Sequence, residues 1–258
     1  MRILLSNDDG ITAPGLNALR EAVEGLGETD VVAPDSPQSA AAHAITLKAP
    51  LVTRNVQLPG DRGRRGVSVN GRPADCVRLA IRNLLPEPPE LVLSGVNHGS
   101  NVGINVFYSG TVAAAAEAAM LAIPAVAFSA AMPREGGDFA RAARLCRWVL
   151  DELLRVGLSG GDLINVNIPD LSAGPLRGLR VAAQSTAGID DVYLVEHAAD
   201  GSHHYRLGEQ YSFFSDATET DVTLLSEGYI TVTPLHVDMT NHDRLAVLAR
   251  GRWADPPA

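Results

Sequence analysis

Four places in this sequence carry side chains with chemistry to offer. Asn7-Asp8-Asp9-Gly10 sets two adjacent carboxylates at the end of an apolar run, Ile3 to Leu5. Adjacent carboxylates repel each other unless something positive lies between them, and a divalent cation is the simplest candidate. Asn97 offers an amide oxygen after a second apolar run, Leu91 to Leu93, and Ser39 a hydroxyl in the loop after Val31-Val32-Ala33. Carboxylate, amide and hydroxyl oxygens are hard ligands that suit Mg²⁺, Mn²⁺ or Ca²⁺, and the imidazole or thiolate company zinc requires is not evident. Ser109-Gly110-Thr111 precedes an alanine-rich run, 112–122. At a helix start its N–H groups, hydroxyls and dipole favour an anion such as phosphate. A cation beside an anion pocket implies phosphoryl chemistry or a bound phosphate. Each piece alone has a plainer reading: a solvated turn for Asn7–Gly10, a turn residue for Asn97, a helix cap for Ser109–Thr111, structural imidazoles for His43 and His98. Their convergence carries the case.

The residues converge only if the strands before them run parallel and open on one rim. Ile3–Leu5, Val31–Ala33 and Leu91–Leu93 do not alternate with polar residues, as expected of strands buried on both faces. After Pro14, Leu16, Leu19, Val23 and Leu26 recur at helical spacing, with Gly25 and Gly27 to end the helix. This β-α-β order opens a doubly wound sheet, whose ligand crevice lies outside the carboxyl ends of its strands. Residues 44–72 break the rhythm. Ile45–Leu47 and Leu51–Thr53 look extended and Val67–Val69 follows, which reads as a hairpin excursion from the main layer, with Arg62, Arg64 and Arg65 in a solvated loop. Asp75 is expected to cap a helix reaching Leu84, and Thr111 to cap 112–122. Further on, 124–129 reads as a strand and 138–156 as an amphipathic helix, with Leu145, Val149, Leu153 and Val156 on one face and Gly157 at its end. Residues 163–169 form another strand, on which Asn165 and Asn167 share a face and are read as backbone anchors. From about 178 to 258 the pattern is β-rich, an extension or oligomer arm. The expected fold is one α/β domain over 1–258: a Rossmann-like, mostly parallel sheet with helices on both faces, a projecting β-hairpin and a β-rich C-terminal extension.

The totals exclude several classes. With 258 residues, 46% apolar and 20% charged, the chain suits an ordinary globular domain. Its 21 basic residues against 30 acidic ones leave −9, which argues against binding duplex nucleic acid. No apolar run approaches the ~18 residues of a membrane span, and Asp8 and Asp9 interrupt any leader-like apolar core. A cytoplasmic protein is expected. The single lysine, Lys48, stands in neither a phosphate-loop nor a Schiff-base context. Cys76 and Cys146, far apart in helical patterns, read as buried free thiols.

Several blocks together resemble the survival protein SurE family. They are Ser6-Asn-Asp-Asp-Gly-Ile11, Val32-Ala-Pro-Asp35 with Ser39, His43-Ala-Ile-Thr-Leu47 and Pro73-Ala-Asp-Cys-Val77. Leu93 to Asn101, Tyr108-Ser-Gly-Thr-Val-Ala-Ala-Ala115, Asn165-Val-Asn-Ile-Pro169 and Thr231-Val-Thr-Pro-Leu235 complete the set, in order from residue 3 to about 240. The resemblance implies a metal-dependent phosphatase of nucleoside 5′- and often 3′-monophosphates, sometimes of short polyphosphate. It also implies a homodimer or homotetramer in which C-terminal segments exchange. Carried over by motif, Asp8, Asp9, Ser39 and Asn97 hold one divalent cation per subunit, Mg²⁺ or Mn²⁺, and Asp8, Asp9 and Asn97 act in catalysis. Asn7, Ser39, His43, Ser109, Gly110 and Thr111 are expected on the substrate side. Two departures stand out: Arg72 where the family usually has threonine, and Ala40 where glycine is frequent.

An aspartyl-phosphate phosphatase would space its carboxylates Asp-x-Asp and use a placed lysine, and a phosphoacceptor receiver would need an aspartate near Asn97 and a lysine beyond it. The remaining alternative is a nucleotide- or phosphate-binding sensor without turnover, which would share the same pocket.

Overall fold

Residues 1–60, 65–133, 136–190, 192–198, 200–208, 212–213, 217–251 and 253 are described by the computed structural model of the chain. β1 (Arg2–Ser6), α1 (Pro14–Ala22) and β2 (Glu28–Pro34) open the fold, and β5 (Leu91–His98) lies on the other side of β1 from β2. The intervening chain forms β3 (Thr53–Gln57), β4 (Arg65–Val69) and α2 (Pro73–Leu79), the last continuing as a π-helical turn over Ala80–Leu84. Then come α3 (Gly110–Met120), β6 (Ala125–Ala130), α4 (Phe139–Val156) and β7 (Leu163–Ile168). The C-terminal third contains β8 (Leu179–Val181), β9 (Ile189–Asp190), β10 (Tyr193–His197), β11 (His203–Leu207), β12 (Ser212–Phe213), α5 (Asp221–Ser226), β13 (Ile230–Leu235) and α6 (His242–Ala249).

Among the described residues one nine-stranded sheet runs β3-β4-β2-β1-β5-β6-β7-β13-β8. The six strands from β4 to β7 are mutually parallel. Successive side chains of a strand face opposite ways, and here both faces are covered. Ile3, Leu5, Leu91 and Leu93 pack with Leu16, Leu19, Val149 and Leu150 of α1 and α4. Leu4 and Val92 pack with Cys76, Val77, Ala114 and Ala118 of α2 and α3. The unbroken apolar runs follow from this two-sided burial. β2 lies on one side of β1 and β5 on the other, so the order reverses at β1, where a crevice is expected.

The structure departs from the sequence reading at its edges. The 44–72 excursion is part of the main sheet: β4 pairs in parallel with β2, and β3 closes the edge antiparallel to β4. Ile45–Leu47 and Leu51-Val52 are not strands; the first hairpin strand begins at Thr53. Arg62 and Arg64 lie outside the described residues, and Arg65 opens β4. Asp75 is not the first cap of α2. It sits one turn in, and its carboxylate accepts the backbone N–H of Arg72 at 2.9 Å and of Thr46 at 2.9 Å. Ser109, not Thr111, caps α3, its Oγ accepting the Val112 N–H at 3.1 Å. Asp138 caps α4 and Gly157 ends it with φ +98°, but Val156, in the last turn, is 76% exposed and does not join the buried face. Among its described residues the C-terminal region holds two helices, α5 and α6, and β13 enters the main sheet between β7 and β8. Both free cysteines are buried, as expected.

Candidate active site at the sheet rim

The loop after β1 is built tightly before it presents anything. Asn7 Nδ2 donates to the Gly10 carbonyl at 3.0 Å, and the Gln38 N–H donates to the Asp8 carbonyl at 2.7 Å. Ile11 N–H reaches the Pro34 carbonyl at 2.9 Å, so the ends of β1 and β2 are stitched together. The start of α3 closes over this loop. A Cβ on Gly110 would lie 2.7 Å from the Asp8 Cβ, so only glycine admits the helix this close.

Asp8 is buried, and Thr111 Oγ1 donates to its Oδ1 at 2.5 Å. Burial raises the Asp8 carboxyl to about 6 despite that bond, with the neighbouring Asp9 charge adding to the rise. Asp9 is raised by burial too, partly offset by the backbone N–H of His98. Among the described residues no salt bridge neutralises either carboxylate. Asn97 Nδ2 donates to the Gly99 carbonyl at 2.9 Å, which leaves its Oδ1 as a free ligand-type oxygen. Asn7 Oδ1 is buried with no hydrogen-bond partner. Two desolvated carboxylates without a salt-bridge partner among the described residues, with only the His98 imidazole acting electrostatically on Asp9 and with amide oxygens alongside, are what a hard divalent cation would compensate. Ser39 is exposed on the loop that Gln38 ties to Asp8. The residues therefore fit such an ion in donor type and charge.

The anion cradle is narrower than its sequence suggests. Thr111 spends its hydroxyl on Asp8, while Ser109 accepts from Val112 and keeps its own proton to donate. Gly110, at the first position of α3, has an N–H without an intrahelical partner. Two hollows open beside these groups. One, about 400 Å³, is lined by His43, Ser109 and apolar side chains including Val106, Phe107, Val112 and Met120. The other, about 480 Å³, is lined by Asp9, Gly10, Thr12, Asp35, His98 and Phe139. His98 Nε2 bonds the Pro133 carbonyl at 3.0 Å, a structural tie.

Asn165 and Asn167 anchor backbone, as their shared face suggests. Both donate through Nδ2 to the Asn101 carbonyl, at 2.8 and 3.2 Å, and Asn167 Oδ1 accepts the Asn101 N–H at 2.8 Å. They hold the loop that leads from Asn97 to Ser109. The two departures are also accounted for geometrically. Ala40 adopts φ +53°, in the left-handed region that glycine enters without strain. Arg72 Nη1 donates to Gln38 Oε1 at 3.1 Å, so the cation braces the Ser39 loop.

Sequence reasoning missed Glu117 and Arg78. Glu117 is buried on α3, bonded to His43 Nε2 at 2.8 Å and Arg78 Nη1 at 3.0 Å. A lone carboxylate inside Ala113–Ala119 was the available signal.

Comparison with known proteins gives one consistent result. The sequence model of the family described as "Survival protein SurE" matches residues 3–191. A curated protein named 5′-nucleotidase SurE from Geotalea uraniireducens is 41% identical over 250 residues, covering 97% of this chain and 98% of that protein. One of the same name from Desulfatibacillum aliphaticivorans is 41% identical over 256 residues, covering 99% and 100%. The crystal structure of the SurE protein from Aquifex aeolicus superposes with a TM-score of 0.82 at 37% identity, covering 96% of this chain and 98% of that one.

Proposed function

The chain belongs to the survival protein SurE family, and from that membership and the rim geometry we propose that it is a 5′-nucleotidase, hydrolysing nucleoside 5′-monophosphates to nucleoside and phosphate. The observation that carries the reading is the adjacent pair of desolvated carboxylates, Asp8 buried and Asp9 half-buried, set against the N-terminus of α3 with no salt bridge to either among the described residues. Asp8, Asp9, Ser39 and Asn97 would hold one Mg²⁺ or Mn²⁺. When bound, the cation supplies neutralisation of phosphoryl charge and a more acidic water. The protein's own groups do the rest. The Ser109 hydroxyl and Gly110 N–H bind phosphate oxygens, aided by the helix dipole. Thr111 fixes the Asp8 carboxylate, and Asp9 is placed to orient the attacking water. Asn7 steadies the loop while offering its free Oδ1, and the hollow behind Ser109 and His43 receives the nucleoside on its apolar walls.

Activity on 3′-monophosphates and short polyphosphate belongs to the same proposal. So does assembly through the C-terminal arm as a homodimer or homotetramer. Its support is an apolar face of β10–β11, with Tyr193, Val195, Tyr205 and Leu207 all exposed. The test of the central reading is phosphate release from a panel of 5′- and 3′-nucleoside monophosphates with Mg²⁺, Mn²⁺ or EDTA. Metal-dependent release that Asp8→Asn lowers on the order of 10³-fold is the expected result. Nucleotide binding without release would establish the sensor instead.

A further inference from the structure

Glu117 raises a question that the rim chemistry leaves open. Burying a carboxylate in an apolar helix is costly unless it is paired and hydrogen-bonded, and this one is paired twice. Arg78 Nη1 lies 3.0 Å from Oε1, and His43 Nε2 lies 2.8 Å from Oε2. Arg78 alone balances the charge. What the second contact adds is orientation of an imidazole: Glu117 Oε2 accepts the hydrogen bond from Nε2–H, which leaves Nδ1 as the nitrogen available for chemistry.

The loop carrying His43 is fastened at both sides of the rim. Gln38 N–H bonds the Asp8 carbonyl at 2.7 Å, and Ala42 N–H bonds the carbonyl of Tyr108, the residue before Ser109, at 3.1 Å. Ala42 holds φ +51°, a strained conformation for a residue with a Cβ, so the loop is specified and not slack. His43 and Ser109 line the same hollow, and the C-terminal segment contributes His236 and Asp238 to its far wall. A phosphate ester with its phosphoryl group on Ser109 and Gly110 and its sugar in this hollow would pass its bridging oxygen by His43.

We propose that His43 is the general acid of this reaction, protonating the leaving sugar oxygen, and that Glu117 is its positioning residue. The inference rests on the nucleotidase reading. In the step, the water oxygen bonds to phosphorus as the P–O5′ bond breaks, and the O5′ electron pair takes the proton from His43 Nδ1. The water's proton passes to solvent, and the imidazole is reprotonated from solvent. Nε2–H stays with Glu117 throughout.

The test compares two esters under saturating metal: a nucleoside 5′-monophosphate, whose alkoxide needs a proton to leave, and p-nitrophenyl phosphate, whose aryl oxide does not. His43→Ala is expected to lower kcat on the nucleotide by about 10²-fold, and its loss on the aryl ester should be at least about tenfold smaller. Glu117→Gln should shift the same ratio in the same direction by less, and the double variant should lose little more than His43→Ala, as expected of coupled groups. Equal losses on both esters, or no loss on either, would overturn the assignment while leaving the nucleotidase intact. A wild-type protein inactive on both esters would instead remove the nucleotidase reading itself. If Glu117→Gln does not fold, the ester ratio of His43→Ala decides alone.

Discussion

The sheet rim and the C-terminal arm are made of similar material and behave in opposite ways. At the rim, Asn7 and Asp8 are buried, and Asn7, Asp8, Gly10, Gln38 and Thr111 are bonded to one another across three segments of chain. In the arm, every residue of β10 and β11 is exposed, and α6 buries none of its side chains. An isolated two-stranded ribbon is marginal in water. The described rim groups are thus tied to one another within the chain, whereas the arm's side chains are left on the surface. Polar groups buried at a rim with incomplete charge balance fit the site proposed above, and apolar groups left exposed on a ribbon fit the interface proposed with it.

This contrast can be broken at several points. The largest effect is expected from Asp8→Asn, which should lower phosphate release on the order of 10³-fold while making the chelated protein more stable. The sign follows from Asp8, whose carboxyl is raised from 3.8 to about 6 on folding. Its contribution to stability is whole below pH 4 and is lost as pH rises through 6, by up to about 3 kcal/mol. Thermal melts in EDTA at pH 7 should therefore show the variant melting above wild type, and the gap closing towards pH 4. Next, Gly110→Ala drives a Cβ into Asp8 and is expected to cost about 10²-fold in kcat with about 1–3 kcal/mol of stability, read by activity and denaturant melts. Tyr205→Asp with Leu207→Asp should leave the melt of the main domain within about 0.5 kcal/mol yet reduce the mass seen by light scattering to that of one chain. An unchanged mass would deny the arm its interface. The smallest effect is expected from Ala40→Gly, a gain of about 0.5 kcal/mol from relieved left-handed strain set against greater freedom of the unfolded chain.

The same contrast divides what could be read from the sequence. Ile3–Leu5, Val31–Ala33 and Leu91–Leu93 were legible because two-sided burial forbids alternation, and the rim followed from the parallel order of those strands. Asn165 and Asn167 were legible as anchors because alternation puts them on one face. The edge was not: β4 joins β2 by a pairing that no local pattern encodes. The helix caps shifted by two and three residues because Ser109 and Arg72, not the side chains chosen, stand where the chain turns. α6 escaped because its apolar residues, Leu245, Val247 and Leu248, face out and follow no single buried stripe. Glu117 was invisible for a different reason. Its meaning depends on Arg78 and His43, which are distant in sequence and meet it only in space.

The place of β13 bears on how the molecule comes off the ribosome. Among the described residues β8 joins the sheet through β13 alone, and β13 is made about fifty residues later. The strands from β1 to β7 can pair as they emerge, since each meets a neighbour already synthesised or soon to be. Residues 179–181 must wait, unpaired, until 230–235 appear and slide between them and β7. Throughout that interval the nascent chain shows an open β7 edge to its surroundings. Sister chains on the same message pass through the same stage side by side, each with one berth vacant and one strand still to come.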